Sequence, residues 1–176
     1  QAMPITRQIP IGAHMSIPIH LEDGTPFGMF CCLGPNANPS LNERDLETMR
    51  LFSNLAAQQI DKEYAHKRHL QEMRERIMDT LETNAFAIAY QPIVDLGQMH
   101  PSGYEALCRF SAEPYRTPDV WFDEAAKVGL SVELELASIR QAVEKIGEIA
   151  PDQYISVNVS PSTVISGQFA ETFLKL

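Results

Sequence analysis

The spacing of apolar and polar positions changes character twice along this chain. Up to about residue 39, apolar residues come in short runs broken by Pro and Gly. Met15 to His20 and Phe27 to Leu33 predict two strands, and Glu22-Asp23-Gly24-Thr25 between them predicts a hairpin turn. Pro18 cannot donate to a ladder, so its strand is expected at an edge or a bulge. From Leu41 to Thr83 there is no Pro or Gly, and apolar residues step by three and four: Leu46, Met49, Phe52, Ala56 and Ile60, then Leu70, Met73, Ile77 and Leu81. This predicts one helix of about 65 Å at 1.5 Å per residue. Ser40 is its expected N-cap, in a Ser-Leu-Asn-Glu capping box. Asp61 to His69, between the two stripes, is charged and offers only Tyr64 and Ala65 to a core. The first stripe is expected to pack on the hairpin. The second, with residues near 64–83, is expected to pair with a second copy of the chain as a homodimer.

Beyond residue 84 strand and helix alternate. Phe86 to Val94 predicts a strand, and the connection through Gly97 and Pro101 to Gly103 is too short for a parallel crossover, so the next strand is expected to be antiparallel. Helices are expected near 118–129 and 132–149, followed by a strand from Tyr154 to Val159.

Composition narrows the class. Hydrophobic content of 44% and charged content of 21% are ordinary for a globular protein. A net charge of −9 argues against binding a nucleic-acid polymer, which requires a basic face. It leaves a small phosphodiester ligand open, because local charge governs such a site. Three cysteines, two of them adjacent at Cys31 and Cys32, do not make a disulfide framework, and a reducing cytoplasm is the expected location. No apolar run has the length of a membrane span. His14, His20, Cys31 and Cys32 lack metal-ligand spacing and are expected to be structural.

Two segments carry candidate chemistry. In Gly103-Tyr104-Glu105-Ala106-Leu107-Cys108-Arg109-Phe110, alternation puts Glu105, Leu107 and Arg109 on one strand face and Tyr104, Ala106, Cys108 and Phe110 on the other. An acid and a guanidinium flanking a leucine suit an anionic ligand held by a metal and an arginine, and they also suit a salt-bridged edge strand. In Tyr154-Ile155-Ser156-Val157-Asn158-Val159-Ser160-Pro161, Asn158 sits between valines and is expected to be a buried amide in need of partners. A hard cation is one such partner, and a cap at the strand end is another.

Tyr90-Gln91-Pro92-Ile93-Val94-Asp95, Tyr104-Glu105-Ala106-Leu107-Cys108-Arg109 and Val157-Asn158-Val159-Ser160-Pro161, in that order, resemble the opening motifs of EAL domains, which are cyclic di-GMP phosphodiesterases on a modified (β/α)8 barrel. Thr117 to Leu130 is similar to the family's Pro-x-x-Phe-x-x-x-Ala-x-x-x-Gly helix. The resemblance covers about residues 80–176. Ile17 to Ile60 resembles the C-terminal part of a GAF domain, through the Asp-Gly turn, the Phe-Gly-Met-Phe-Cys-Cys strand and the helix from Leu41 to Ala57.

These resemblances imply an α/β chain. A partial α+β GAF-like sensory domain (1–62) and a helical linker (63–83) would precede an incomplete EAL barrel (84–176). A whole (β/α)8 barrel takes about 250 residues, so the sequence is expected to be a fragment that is inactive alone. Gln91, Leu107 and Arg109 are implied to bind cyclic di-GMP, and Glu105 and Asn158 to hold Mg²⁺ or Mn²⁺. No catalytic base is assigned. The implied activity is hydrolysis of cyclic di-GMP to linear pGpG under control of the GAF-type input. The alternative is a degenerate EAL module that binds cyclic di-GMP or a protein partner without hydrolysis.

Overall fold

The structure, a computed structural model, describes residues 10–174. The described residues form two compact units, which divide between Arg68 and His69.

In the first unit, β1 (Ala13–His20) and β2 (Pro26–Gly34) form an antiparallel two-stranded sheet. The Asp-Gly turn between them is local chemistry. Leu21 N–H donates to the Thr25 carbonyl at 2.9 Å, and Gly24 adopts φ +82, a conformation that glycine takes without a Cβ penalty. The Asp23 carboxylate accepts from Thr25 N–H at 2.9 Å, and this bond holds its pKa below the usual carboxylate value. Pro18 lies within the two-stranded sheet, where each strand has a free edge, and the register breaks between Ile19 and His20. The long helix α1 (Glu43–Thr83) follows. Ile19 and α1 residues Met49, Ser53 and Ala57 are buried, and Ser53 Oγ donates to the Pro18 carbonyl at 3.0 Å.

The helix begins two residues later than Ser40 predicts. Asn42 Oδ1 accepts from Arg44 N–H and Asp45 Oδ2 accepts from Asn42 N–H, both at 3.0 Å. That reciprocal pair is a capping box with Asn42 as its cap. Ser40 is instead tied to Asn38, whose Oδ1 accepts from both its N–H and its hydroxyl.

In the second unit, β3 (Phe86–Asp95) pairs antiparallel with β4 (His100–Phe110), and β4 pairs parallel with β5 (Tyr154–Val157), giving the order β3-β4-β5. Gly103 opens the parallel pairing, opposite Tyr154. A Cβ there would meet the Tyr154 carbonyl oxygen at 2.6 Å, so only glycine fits. The crossover from β4 to β5 contains α2 (Pro118–Lys127), α3 (Ser131–Val143) and a single 3-10 turn (Ile146–Glu148); α4 (Pro161–Ile165) and α5 (Gln168–Phe173) follow β5. The predicted helix over 132–149 thus stops at Val143. The predicted strand to Val159 stops at Val157, which pairs with Ala106, the last residue in register with β4.

Phe86, Cys108 and Phe110 from the sheet meet Trp121 and Ala125 of α2, Leu134 of α3 and Ile77 of α1 in one core. Phe110 stacks on Trp121 with ring centroids 5.0 Å apart. This core corrects the expected homodimer seam. Met73 is 6% exposed and Ile77 0%, and Leu81 packs against the same cluster. Met73, Ile77 and Leu81 therefore face their own domain, where the sheet face, α2 and α3 supply the apolar surface around Ile77 and Leu81 that a second helix was expected to provide.

The same part of α1 carries a buried charge cluster. Glu124 on α2, 6% exposed, accepts from Arg76 Nε at 3.3 Å and Nη2 at 3.1 Å, and from Arg116 Nη1. Glu124→Gln keeps the shape but removes the anion facing two guanidiniums, which retain 21% and 25% side-chain exposure. Partial solvation moderates the cost, and a loss of about 2 kcal/mol is expected in urea unfolding. An unchanged midpoint would show the cluster to be energetically neutral.

Cysteine accessibility offers a separate check. Cys31 and Cys32 are exposed, while Cys108 is buried and burial pushes its thiol pKa up. A thiol-exchange reagent at pH 8 is expected to titrate two thiols in the native chain and the third only in denaturant.

Candidate functional site

The alternation of β4 is clear in its burial. Ala106, Cys108 and Phe110 are buried toward the helices, while Glu105 and Leu107 are half-buried and Arg109 is exposed on the opposite face. Pairing then brings the candidate residues of other strands onto that same face. Gln91 of β3 lies directly opposite Glu105, with Ala89 opposite Leu107 and Ala87 opposite Arg109. The two alanines keep the surface beside Leu107 and Arg109 low, and Gln91 is exposed at its edge. On the other side of Glu105 lies Ser156 of β5.

Asn158 follows two residues after Ser156, just past the end of β5. It is exposed, not buried as its valine neighbours predict, because the strand ends at Val157 and leaves it on the rim. Its amide has a specific partner: Nδ2 donates to Glu105 Oε1 at 2.9 Å. The two residues singled out as metal ligands are thus brought together from 53 positions apart in sequence. Arg109 Nη1 donates to the Cys108 carbonyl at 2.9 Å, and among the described residues no carboxylate pairs with it. The salt-bridged-strand alternative therefore does not describe β4. A cavity of about 380 Å³ lies largely on the other, helix-facing side of β4, lined by Ile88, Ala106, Cys108, Phe122, Ser138, Ile139 and Ala142; Leu107, Arg109 and Asn158 also contribute to its walls, and Glu105 and Gln91 do not.

The arrangement offers one anionic oxygen donor, one amide able to turn its oxygen inward, and a guanidinium bonded to a backbone carbonyl but to no carboxylate, around an apolar step at Leu107. Against a bare carboxylate the Asn158 amide presents its NH₂. Rotation would present Oδ1 to a cation shared with Glu105. That donor set is chemically right for Mg²⁺ or Mn²⁺, which take oxygen ligands. It supplies only two of the six positions Mg²⁺ prefers. Among the described residues no group of three or more His, Cys, Asp or Glu side chains is gathered for a metal.

Sequence reasoning overlooked Glu135 of α3. It is 8% exposed, and its Oε2 accepts from Ser160 N–H at 2.8 Å and Ser160 Oγ at 3.0 Å, two residues beyond Asn158. An acid on a polar-looking helix position carries no sign of burial when its partner lies 25 residues away.

Compared with known protein families, residues 74–176 match the EAL domain. The probable cyclic di-GMP phosphodiesterase PdeB of Escherichia coli K12 is 33% identical over 104 residues, covering 56% of this chain and 20% of PdeB. Among solved structures, the Xanthomonas citri FimX EAL domain in complex with c-diGMP aligns with a TM-score of 0.54 at 19% identity, covering 64% of this chain and 45% of that one. The PaMucR phosphodiesterase in its c-di-GMP complex aligns with a TM-score of 0.53 at 22% identity, covering 59% and 44%. The chain therefore spans about a fifth of the curated relative and under half of each structure, and the structural likeness speaks for the fold alone. No helix among the described residues is long and apolar enough to cross a membrane. With the match extending over more than half its length, the chain belongs to the EAL domain family.

Proposed function

We propose that this chain contributes the opening part of the site of a metal-dependent phosphodiesterase that hydrolyses cyclic di-GMP to linear pGpG. The observation that carries the reading is the Asn158–Glu105 contact at 2.9 Å, on the strand face shared with Gln91, Leu107 and Arg109. In this reading 84–176 is the first part of a modified (β/α)8 barrel. An antiparallel opening pair, a parallel third strand and crossover helices on one face support it. Residues 1–62, with a hairpin on a capped helix, would be the end of a GAF-like input domain, and 63–83 the helical link through which it regulates the barrel in the cytoplasm.

Arg109 offers planar donors to a phosphate oxygen. Leu107 provides an apolar step for the ligand's base or sugar, and the exposed Gln91 amide is placed to hydrogen-bond guanine or phosphate. Glu105 and Asn158 would hold Mg²⁺ or Mn²⁺, which when bound neutralises phosphate charge and lowers the pKa of water. None of these residues is assigned as the general base.

The test is incubation of the full-length protein carrying this chain with cyclic di-GMP and Mg²⁺ or Mn²⁺, followed by chromatography. Linear pGpG is expected, and none in the presence of a chelator. Saturable binding with no turnover would replace the enzymatic reading with a sensing one.

A further inference from the structure

We infer that Glu135 is a positioning residue that sets the place of Asn158 from beneath the sheet; this rests on the reading of Glu105 and Asn158 as a ligand-holding pair. Asn158 lies beyond the last residue in ladder register, on an exposed rim, yet it makes a 2.9 Å bond to Glu105. An exposed asparagine in a free loop would exchange that bond for water, so its backbone must be held on both sides. On one side Val157 is held in register with Ala106 of β4. On the other, Ser160 is clamped by Glu135, whose Oε2 accepts from Ser160 N–H at 2.8 Å and Ser160 Oγ at 3.0 Å. Only Asn158 and Val159 lie between these anchors.

Glu135 is itself oriented. Ser131 Oγ, one helical turn earlier on α3, donates to its Oε1 at 3.1 Å. The clamped Ser160 also caps α4, accepting from Thr163 N–H at 3.3 Å. The carboxylate is thus buried at 8% exposure with donors on both oxygens, as a charge taken out of water requires. Placed on α3, it ties the helix layer to the rim of the sheet. Its hydrogen bonds go to Ser131 and Ser160 rather than to Asn158 or Glu105, and it acts through the two-residue span between the anchors. Groups bonded directly to a metal ligand typically contribute about 10–100-fold to metal affinity, so one acting through two residues of backbone is expected at or below the lower end of that range.

The test uses the full-length protein with Glu135→Gln, Ser131→Ala, Asn158→Ala and Glu105→Gln, read out by Mn²⁺ titration in electron paramagnetic resonance. The Asn158 side-chain amide signal is followed by NMR without metal. Glu135→Gln is expected to weaken Mn²⁺ binding about tenfold and to move the Asn158 NH₂ signal toward its solvent-exposed position. Ser131→Ala, which loosens Glu135 without touching the rim, is expected to shift both readouts in the same direction by less. This variant keeps the question open to test if Glu135→Gln fails to fold. Unchanged Mn²⁺ affinity and NMR signal in the Glu135 and Ser131 variants, while Asn158→Ala and Glu105→Gln lose binding, would overturn the positioning role and leave the pair intact. Unchanged affinity in all four variants would overturn the metal reading and the role of Glu135 with it.

Discussion

Glu105→Gln is expected to reduce turnover of cyclic di-GMP by on the order of 10³-fold or more in the full-length protein. The substitution is nearly isosteric and sits on a half-buried strand position whose backbone pairs on both sides, so the fold has no reason to change. What changes is charge. An amide keeps one oxygen but loses the anion that makes this position an attractive ligand for a hard cation. Metal stabilisation of transition-state charge is worth several kcal/mol, and each 1.36 kcal/mol is tenfold in rate. The comparison that gives the result meaning is Ser156→Ala, the neighbour of Glu105 on the same face. It removes a hydroxyl without removing a charge and should cost far less. A Glu105→Gln protein with wild-type turnover would remove this residue from the site.

Ile77→Ala is expected to cost about 3–4 kcal/mol of stability in the second unit, measured by urea unfolding. The side chain is 0% exposed and lies in the cluster that holds Phe86, Phe110, Trp121 and Leu134. Rigid aromatic walls collapse poorly into a void, which keeps the cost clear of the lower end of the usual range for truncating a buried aliphatic. The same variant separates two accounts of the helix stripe. A core residue gives a loss that is independent of protein concentration. A residue in a seam between chains gives a midpoint that moves with concentration, because association and folding are then linked. Concentration-independent destabilisation is expected here, with no change in sedimentation.

The outcome for Ile77 illustrates what periodicity conveys. Steps of three and four from Leu70 to Leu81 mark an apolar helix face, and that face exists. They carry no information about what covers it, and here a sheet, α2 and α3 cover Ile77 and Leu81. The hairpin at Asp23-Gly24 and the antiparallel opening of β3 and β4 were legible because each depends on a few adjacent residues or on loop length. The face shared by Glu105, Leu107 and Arg109 was legible for the same reason, since strand alternation is strictly local. Gln91 joins that face through the register of β3 with β4, and Asn158 through its bond to Glu105 just past the end of β5, neither of which the alternation of one strand could reveal.

The misplaced details have physical causes as well. Ser40 and Asn42 both head capping patterns, and the choice between them depends on where the chain turns into the helix; Asn38 engages Ser40 and leaves Asn42 to cap. The burial of Asn158 was inferred from flanking valines, but a strand ends where its partner ends, at the pairing of Val157 with Ala106. Glu124 and Glu135 escaped notice because acids on amphipathic helices ordinarily face water. Each is buried against partners distant in sequence, Arg76 for one and Ser160 for the other.

The central claim is that Glu105 and Asn158 together hold a cation beside the phosphodiester. Anomalous diffraction from crystals of the full-length protein grown with Mn²⁺ and cyclic di-GMP tests it most directly. The account predicts a Mn²⁺ peak bonded to a Glu105 carboxylate oxygen and to Asn158 Oδ1, at roughly the 2.1 Å typical of hard-cation oxygen ligands. It also predicts an Arg109 guanidinium nitrogen within hydrogen-bonding reach of a phosphate oxygen. A nucleotide bound with Mn²⁺ elsewhere, and with Asn158 Nδ2 still donating to Glu105 as it does at 2.9 Å in the present structure, would contradict it.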